Sequence, residues 1–451
     1  MKTKDNFPAR PALAALAAIL AAAAQAQPSI DQSSVGLSQD PGTKLVTVSY
    51  VLDGDPAVVT VDFQTNCVAS GEWTTIGAEK FARVAGDMNC LVTNVNRTCT
   101  ITWQPSDADA WPNGYVAGGS MRAVVKAWAT NHPPPYMIVD MRYVPGKKWY
   151  YASAEAVPYG ITNDLYKTSR LAFRLVPAAQ VTYRMGAPSG EPGQPVAKRE
   201  TQHLVSFTND FYLSVYPVTQ QQHAYHTVAS SKTPSIVTNN LPATATYPVE
   251  NINWSDLRGW YTDSSIKVGH WPLHGHELSY KSVITNLRAL VKIPSLDLPT
   301  DAQWEYACRA GTSTSTYAGD VTSASGTDPV VDEIAWYTKN SGGVTHPVGL
   351  KKPNPWGFYD MLGNVWEECL DQYDTSSGAD GAVPSADATD PPGVNLDTLT
   401  TLNTSWMRVK RGGAYNASAG SCRSAIRSSA GCRSAEAATG YRLACDAMAL
   451  Q

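Results

Sequence analysis

The chain has 451 residues, 43% of them hydrophobic and 16% charged, with 33 Gly, 30 Pro and 8 Cys. This is a globular composition with room for about two or three domains at roughly 150 residues each. Lys and Arg number 35 against 39 Asp and Glu, and no dense basic run supplies the electrostatic footprint that a phosphate backbone requires, which excludes nucleic acid as an expected partner.

The first segment reads as an address. Lys2, Lys4 and Arg10 precede an uncharged apolar run from Ala12 to Ala24, and Ala24-Gln25-Ala26 follows with the small-x-small spacing of a signal-peptidase site. Cleavage after Ala26 is expected, and with it a secreted or periplasmic protein. The run is too short for a hydrocarbon core that takes about 20 residues, and no later stretch is long enough, so no membrane span is expected. Export permits disulfides. The cysteines divide into Cys67, Cys90 and Cys99 and then Cys308, Cys369, Cys422, Cys432 and Cys445; both groups are odd, and spacing alone does not choose a pairing. No Cys-x-x-Cys occurs, so the spacings do not suggest zinc.

Residues 27–130 alternate in short bursts, among them Lys44 to Val51, Ala57 to Phe63, Cys99 to Trp103 and Met121 to Trp128, separated by turn clusters. An all-β sandwich of immunoglobulin-like or fibronectin-like type is expected there. Residues 131–177 read as a connecting β segment: His132-Pro-Pro-Pro135 breaks the pattern, and Tyr136 to Met141 and Leu171 to Leu175 read as strands leading onward. Beyond Pro177 glycines and aromatics become frequent and helical stretches few. Trp and Tyr, 13 and 22 against 7 Phe, suit a core threaded by irregular backbone because their polar tips satisfy buried carbonyls; a carbohydrate-stacking surface would use them too.

Seven phrases in this half carry a resemblance: Tyr183-Arg-Met-Gly186, Asp210 to Thr219, Pro248 to Trp254, Leu298 to Ala307, Gly357 to Glu367, Arg411-Gly-Gly413 and Gly440-Tyr-Arg-Leu443. Together and in this order they resemble the formylglycine-generating enzyme, or sulfatase-modifying factor, family over 178–447. The resemblance implies a loop-rich α+β fold related to C-type lectins, so a multidomain chain is expected. Locally, Thr300 with Gln303 reads as a capping box opening a helix through Trp304 and Ala307, and Ser255 reads as the cap of a second short helix containing Asp256 and Leu257.

The family's enzymes oxidise a substrate cysteine to formylglycine with oxygen and a copper ion held by two thiolates. Soft thiolates suit Cu(I), and both are required. The position matching the first is Ala417; Cys422 falls at the spacing of the second, as a candidate catalytic residue or equally a structural half-cystine. Copper is therefore not expected, and the chain reads as an enzyme family member with an incomplete cysteine pair. Cys422 could instead form a disulfide or a metal pair with Cys432, whose Cys-Arg-Ser-Ala context it shares, or pair with Cys308. His270, His274 and His276 could supply ligands if their loop folded back, although Pro272 bars a continuous helix from presenting them. By the same resemblance Asp360, the carbonyls of Gly363 and Val365, and Glu367 would ligate Ca²⁺ through hard oxygens, with 334–340 as the region of a second calcium loop. The leading expectation is an exported, calcium-stabilised module without oxidase activity that binds a peptide, a glycan or a surface protein; the alternative is an oxidase or modifying enzyme acting on exported sulfatases.

Overall fold

The computed structural model describes residues 27–66, 71–76, 84–105, 120–143, 146–194, 200–225, 243–258, 282–373, 388–390 and 407–447. The leader, Cys67 and the histidines at 270, 274 and 276 lie outside the described residues. The chain is rich in β-structure. No helix among the described residues is long and apolar enough to cross a membrane.

The N-terminal part contributes β1 (Ser29–Gln39), β2 (Val46–Asp53), β3 (Ala57–Asn66), β4 (Trp73–Thr75), β5 (Val84–Gly86), β6 (Cys90–Val92), β7 (Thr98–Trp103) and β8 (Met121–Ala129). All four bursts seen in the sequence are strands. One antiparallel sheet runs β1-β2-β7-β5, and a second is built on β3, which pairs with β8 along its length and with β4 and β6 on its other edge. In β2 every second residue, Val46, Val48, Tyr50 and Leu52, is buried, the period-2 signature of a strand with one face on a core. These side chains share a cluster with Val59, Phe63, Ile101, Trp103 and Val125 from the two sheets. The layers thus face one another across one core.

Further strands and helices follow: β9 (Tyr136–Asp140), β10 (Lys147–Tyr151), β11 (Arg170–Val176), β12 (Val181–Met185), β13 (His203–Phe207), β14 (Phe211–Ser214), α1 (Gln220–Ala224), α2 (Trp254–Arg258), α3 (Val283–Val291), α4 (Asp301–Arg309) and α5 (Pro329–Ile334). The chain then forms β15 (Trp366–Tyr373), β16 (Ala388–Thr389), β17 (Met407–Arg411), β18 (Arg427–Gly431), β19 (Thr439–Gly440) and β20 (Ala444–Asp446). The expected connecting segment is part of a sheet. Its order is β10-β9-β11-β14-β20, so β11 joins β9 and β10 to β14, and β14 in turn pairs with β20 from the far end of the chain. All five residues of β9 are buried, because Met137 and Val139 enter the main core and Tyr136 and Ile138 a second cluster on the opposite face. A strand covered on both sides reads as an unbroken apolar run rather than an alternating one.

The helices are short and individually capped. Thr300 accepts from the Gln303 amide at 3.2 Å while the Gln303 side chain accepts from the Thr300 amide at 2.9 Å, the reciprocal pair expected for α4. For α2 the cap sits earlier than expected. Asn253 Oδ1 accepts from the Asp256 amide at 2.8 Å, whereas Ser255 lies inside the helix and donates to the Cys432 carbonyl at 2.8 Å. Asn and Ser cap about equally well, so composition alone could not separate them.

Candidate functional site: the Arg411–Cys422 loop and its buried ion-pair web

Most of the quoted phrases are tied together in the core by buried charge. Arg411, at the end of β17, is fully buried. It pairs with Asp301 through Nε and with Glu305 at 2.9 Å, and donates to the carbonyls of Ser424 and Ile426 at 3.2 and 3.0 Å. Asp301 also receives Arg427 at 2.7 Å. Glu305 receives Arg309 and the Gly186 amide, each at 2.8 Å. Burial alone would raise the Glu305 carboxyl, but Arg309, Arg411 and the Gly186 amide outweigh it and hold the group below its usual range. Such a group costs several kcal/mol to desolvate unless each oxygen is matched, and here each is.

The two glycines after Arg411 are dictated by closeness. Gly412 and Gly413 have φ of 95° and 79°. A Cβ on Gly413 would stand 2.5 Å from the Ser421 carbonyl and 2.9 Å from Cys422 Sγ. The turn therefore lies flat on the strand of chain that carries Cys422.

Cys422 is fully buried, and burial pushes its thiol up to about 12. Ala417, five residues earlier, is half-buried, and its carbonyl accepts from the Thr338 amide at 2.9 Å. A methyl group offers no metal donor, so these two positions do not fit a two-thiolate copper site. The seven described cysteines are free thiols; neither the Cys422–Cys432 nor the Cys308–Cys422 bridge considered from sequence is formed. Cys308 instead sits in α4 with its Sγ 3.7 Å from Ser424 Oγ, and Cys432 lies beneath α2, where its carbonyl receives Ser255.

In the loop expected to take calcium, Glu367 is paired with a guanidinium. Arg442 donates to both Glu367 oxygens at 2.6 and 2.7 Å, to the Ser214 carbonyl at 2.9 Å and to the Tyr359 carbonyl at 3.0 Å. Glu367 Oε2 also accepts Trp304 Nε1 at 2.6 Å. Both lone-pair directions of Oε2 are thereby used, while Oε1 accepts only from Arg442. Asp360 accepts from the Gly349 amide at 2.6 Å, and burial pushes its carboxyl up to about 6. Gly363, at φ 74°, would bring a Cβ to 2.4 Å from the Trp336 carbonyl, and Val365 is buried. The four expected ligand positions thus lie along one tight turn, with Arg442 bound to Glu367 and to the Tyr359 carbonyl. In the region 334–340, Asn340 binds its own turn, donating to the Ala335 carbonyl at 3.0 Å and accepting from the Tyr337 amide at 2.9 Å. Among the described residues no group of three or more His, Cys, Asp or Glu is placed to hold a metal.

Sequence reasoning missed two features. Arg423 is sunk between Glu200, at 2.8 and 3.0 Å, and Glu191, a pairing across more than 220 residues that no local pattern announces. Glu368 is fully buried with neither carboxyl oxygen hydrogen-bonded; its adjacency to Glu367 was visible, but not its inward direction.

Residues 167–447 match the sulfatase-modifying factor enzyme 1-like domain. The chain belongs to this family. It is 30% identical over 193 residues to the chaperone protein LppX of Paenibacillus barcinonensis, covering 37% of this chain and 63% of that protein. Against the formylglycine-generating enzyme of Thermomonospora curvata it is 33% identical over 165 residues, covering 33% of this chain and 49% of the enzyme. The chain therefore spans between about half and two thirds of the length of these relatives. The solved structure of Treponema denticola variable protein 1 is similar over 61% of this chain and 95% of that one, with 23% identity and a TM-score of 0.44.

Proposed function

We propose that this is an exported ligand-binding member of the family without cysteine-to-formylglycine oxidase activity. One observation carries the reading: the copper position has Ala417 where a thiolate is needed, and its partner Cys422 is a buried thiol pushed up to about 12. Oxygen chemistry at a two-sulfur copper centre has no second ligand here. What remains is a rigid platform. The buried web under Arg411 holds loops whose tips, Asn416 and Ser418 on one and Arg433, Ser434 and Ala435 on the other, are exposed, and loops fixed on a stiff scaffold are where binding residues concentrate. Similarity to a relative named as a chaperone protein supports the binding reading, as similarity to formylglycine-generating enzymes supports the alternative. The ligand class is a peptide, a glycan or a surface protein, and the N-terminal sheets, in the immunoglobulin-like reading, act as the spacer that carries the platform. Calcium enters this proposal as a competitor of Arg442 for Glu367 rather than as a resident ion.

The test is to incubate the reduced protein with Cu(I), oxygen and a sulfatase-type cysteine peptide and follow the peptide by mass spectrometry. No loss of sulfur is expected. Conversion to the aldehyde would overturn the reading and restore the alternative, an oxidase acting on exported sulfatases.

A further inference from the structure

The two halves of the chain meet at β10, where the Tyr150 amide donates to the Asn89 carbonyl at 3.1 Å. Beside that junction lies a cleft of about 610 Å³ with walls from both halves, within the ~300–1,000 Å³ of small-molecule sites. Its chemistry is specific in three ways.

The charge is unbalanced. Arg142, Lys147, Lys148 and Arg170 line the cleft against Asp62 and Asp140. Asp140 is already engaged by Arg142 through both oxygens and by Arg170 at 3.2 Å. Lys147 has no carboxylate: its ammonium rests over the Tyr143 ring, 4.2 Å from the centroid, and it forms no ion pair among the described residues. Next, exposed aromatic side chains line the cleft. Tyr143 and Tyr159 are 43% and 48% exposed, unusual for residues of this size, and Trp149 is half-buried in the same wall. Finally, an acceptor is left unused. Asn89 lines the cleft, is only 6% exposed, and its Oδ1 has no hydrogen-bond partner. An orphaned buried acceptor costs about 1–3 kcal/mol, a cost that a ligand hydroxyl would remove.

We propose that this inter-domain cleft binds an acidic saccharide. The sugar's C–H face lies against Tyr143 and Tyr159, matching positive C–H edges to the negative aromatic face. A ring hydroxyl donates to Asn89 Oδ1, and the uronate or sulfate group meets Lys147 and Arg142. The site is separate from the Arg411–Cys422 loop and stands whether or not that loop catalyses oxidation.

Calorimetry on the full chain provides the test, with four probes: trigalacturonate, its fully methyl-esterified form, a sulfated heparin tetrasaccharide and tri-glutamate. At least one of the two acidic saccharides is expected to bind. Salt should weaken that binding, as should Lys147→Glu, by about tenfold or more, and Tyr159→Ala should weaken it several-fold. Both substitutions are at exposed positions, so melting temperatures should be unchanged. If trigalacturonate is the ligand, esterification should abolish most of the affinity; if only the heparin tetrasaccharide binds, the acidic group recognised is sulfate. Failure of both saccharides, equal binding of the neutral ester and the acid, equal or tighter binding of tri-glutamate, or indifference to Lys147→Glu would each overturn the proposal.

Discussion

Glu368 faces Lys410 across the β15–β17 ladder, with Arg408 and Glu436 beside it, yet neither of its oxygens has a hydrogen-bond partner. Burial pushes its carboxyl from 4.5 up to about 8, with Lys410 and Arg408 opposing the shift. Below about pH 4.5 both folded and unfolded chains hold this proton, so Glu368 has no effect on stability there. Between 4.5 and 8 the unfolded chain has released it and the folded chain has not, so stability falls as pH rises, by up to about 1.4 kcal/mol per pH unit. Replacing Glu368 with Gln removes the ionisation. The variant should match the unmodified protein at pH 4 and exceed it by roughly 1–3 kcal/mol at pH 8 in urea unfolding. An identical gap at both pH values would mean that Glu368 is already ionised in the fold. Asp371, pushed up to about 7 by burial and then by Asp301, acts with the same sign, so the pH profile of the unmodified chain should be steeper than Glu368 alone accounts for.

At the scale of single elements, local chemistry was largely readable, and long-range partners were not. The α4 capping box follows from Thr300 and Gln303 standing three apart after Pro299, and the structure forms it. Thr300→Ala should cost about 1 kcal/mol. The β2 strand follows from alternation, with one face on the sandwich core, whereas β3 turns Val59 and Phe63 to that core and Val58 to the main core on its other face. β9 was also legible as an apolar run, but its neighbours were not: no pattern within the run indicates that β11 lies on one side and β10 on the other. The α2 cap slipped by two residues because two good capping residues flank Trp254. For the Arg-Gly-Gly turn, sequence indicated that the glycines matter, and the structure adds why they differ from others. Gly311 and Gly413 have similar positive φ, 88° and 79°, so alanine strains both. A Cβ at Gly311 meets nothing within 4 Å, whereas at Gly413 it collides with the Ser421 carbonyl and Cys422 Sγ. Gly413→Ala should therefore lower the melting temperature well beyond Gly311→Ala. Equal losses would show that the turn can lift off the Cys422 segment.

For the molecule as a whole, three guanidiniums, Arg411, Arg423 and Arg442, are among the largest fully buried side chains, and each joins segments far apart in the chain. Every quoted phrase was visible in the sequence, but the partner of each charge was not, since an Arg and a Glu separated by 75 residues carry no mark of their contact. The calcium ligand set, which the family resemblance implies, includes Glu367, and the long-range partner of that carboxylate, Arg442 beyond β19, is likewise unmarked in the sequence. Arg442 satisfies both Glu367 oxygens and two backbone carbonyls, so the melting temperature should be the same in excess EDTA and in millimolar Ca²⁺. Arg442→Met removes that cation and strands a buried carboxylate, which should cost about 3–5 kcal/mol. The freed Glu367, with Asp360 on the same turn, then presents the oxygens a hard cation takes, and added Ca²⁺ should recover part of the loss by mass action, about 2.7 kcal/mol at 100 times its dissociation constant. The double substitution Arg442→Met with Glu367→Gln should show no such recovery. If instead the unmodified protein melts lower on chelation and Glu367→Gln abolishes that shift, the loop belongs to calcium, and Arg442 yields Glu367 when the ion is present.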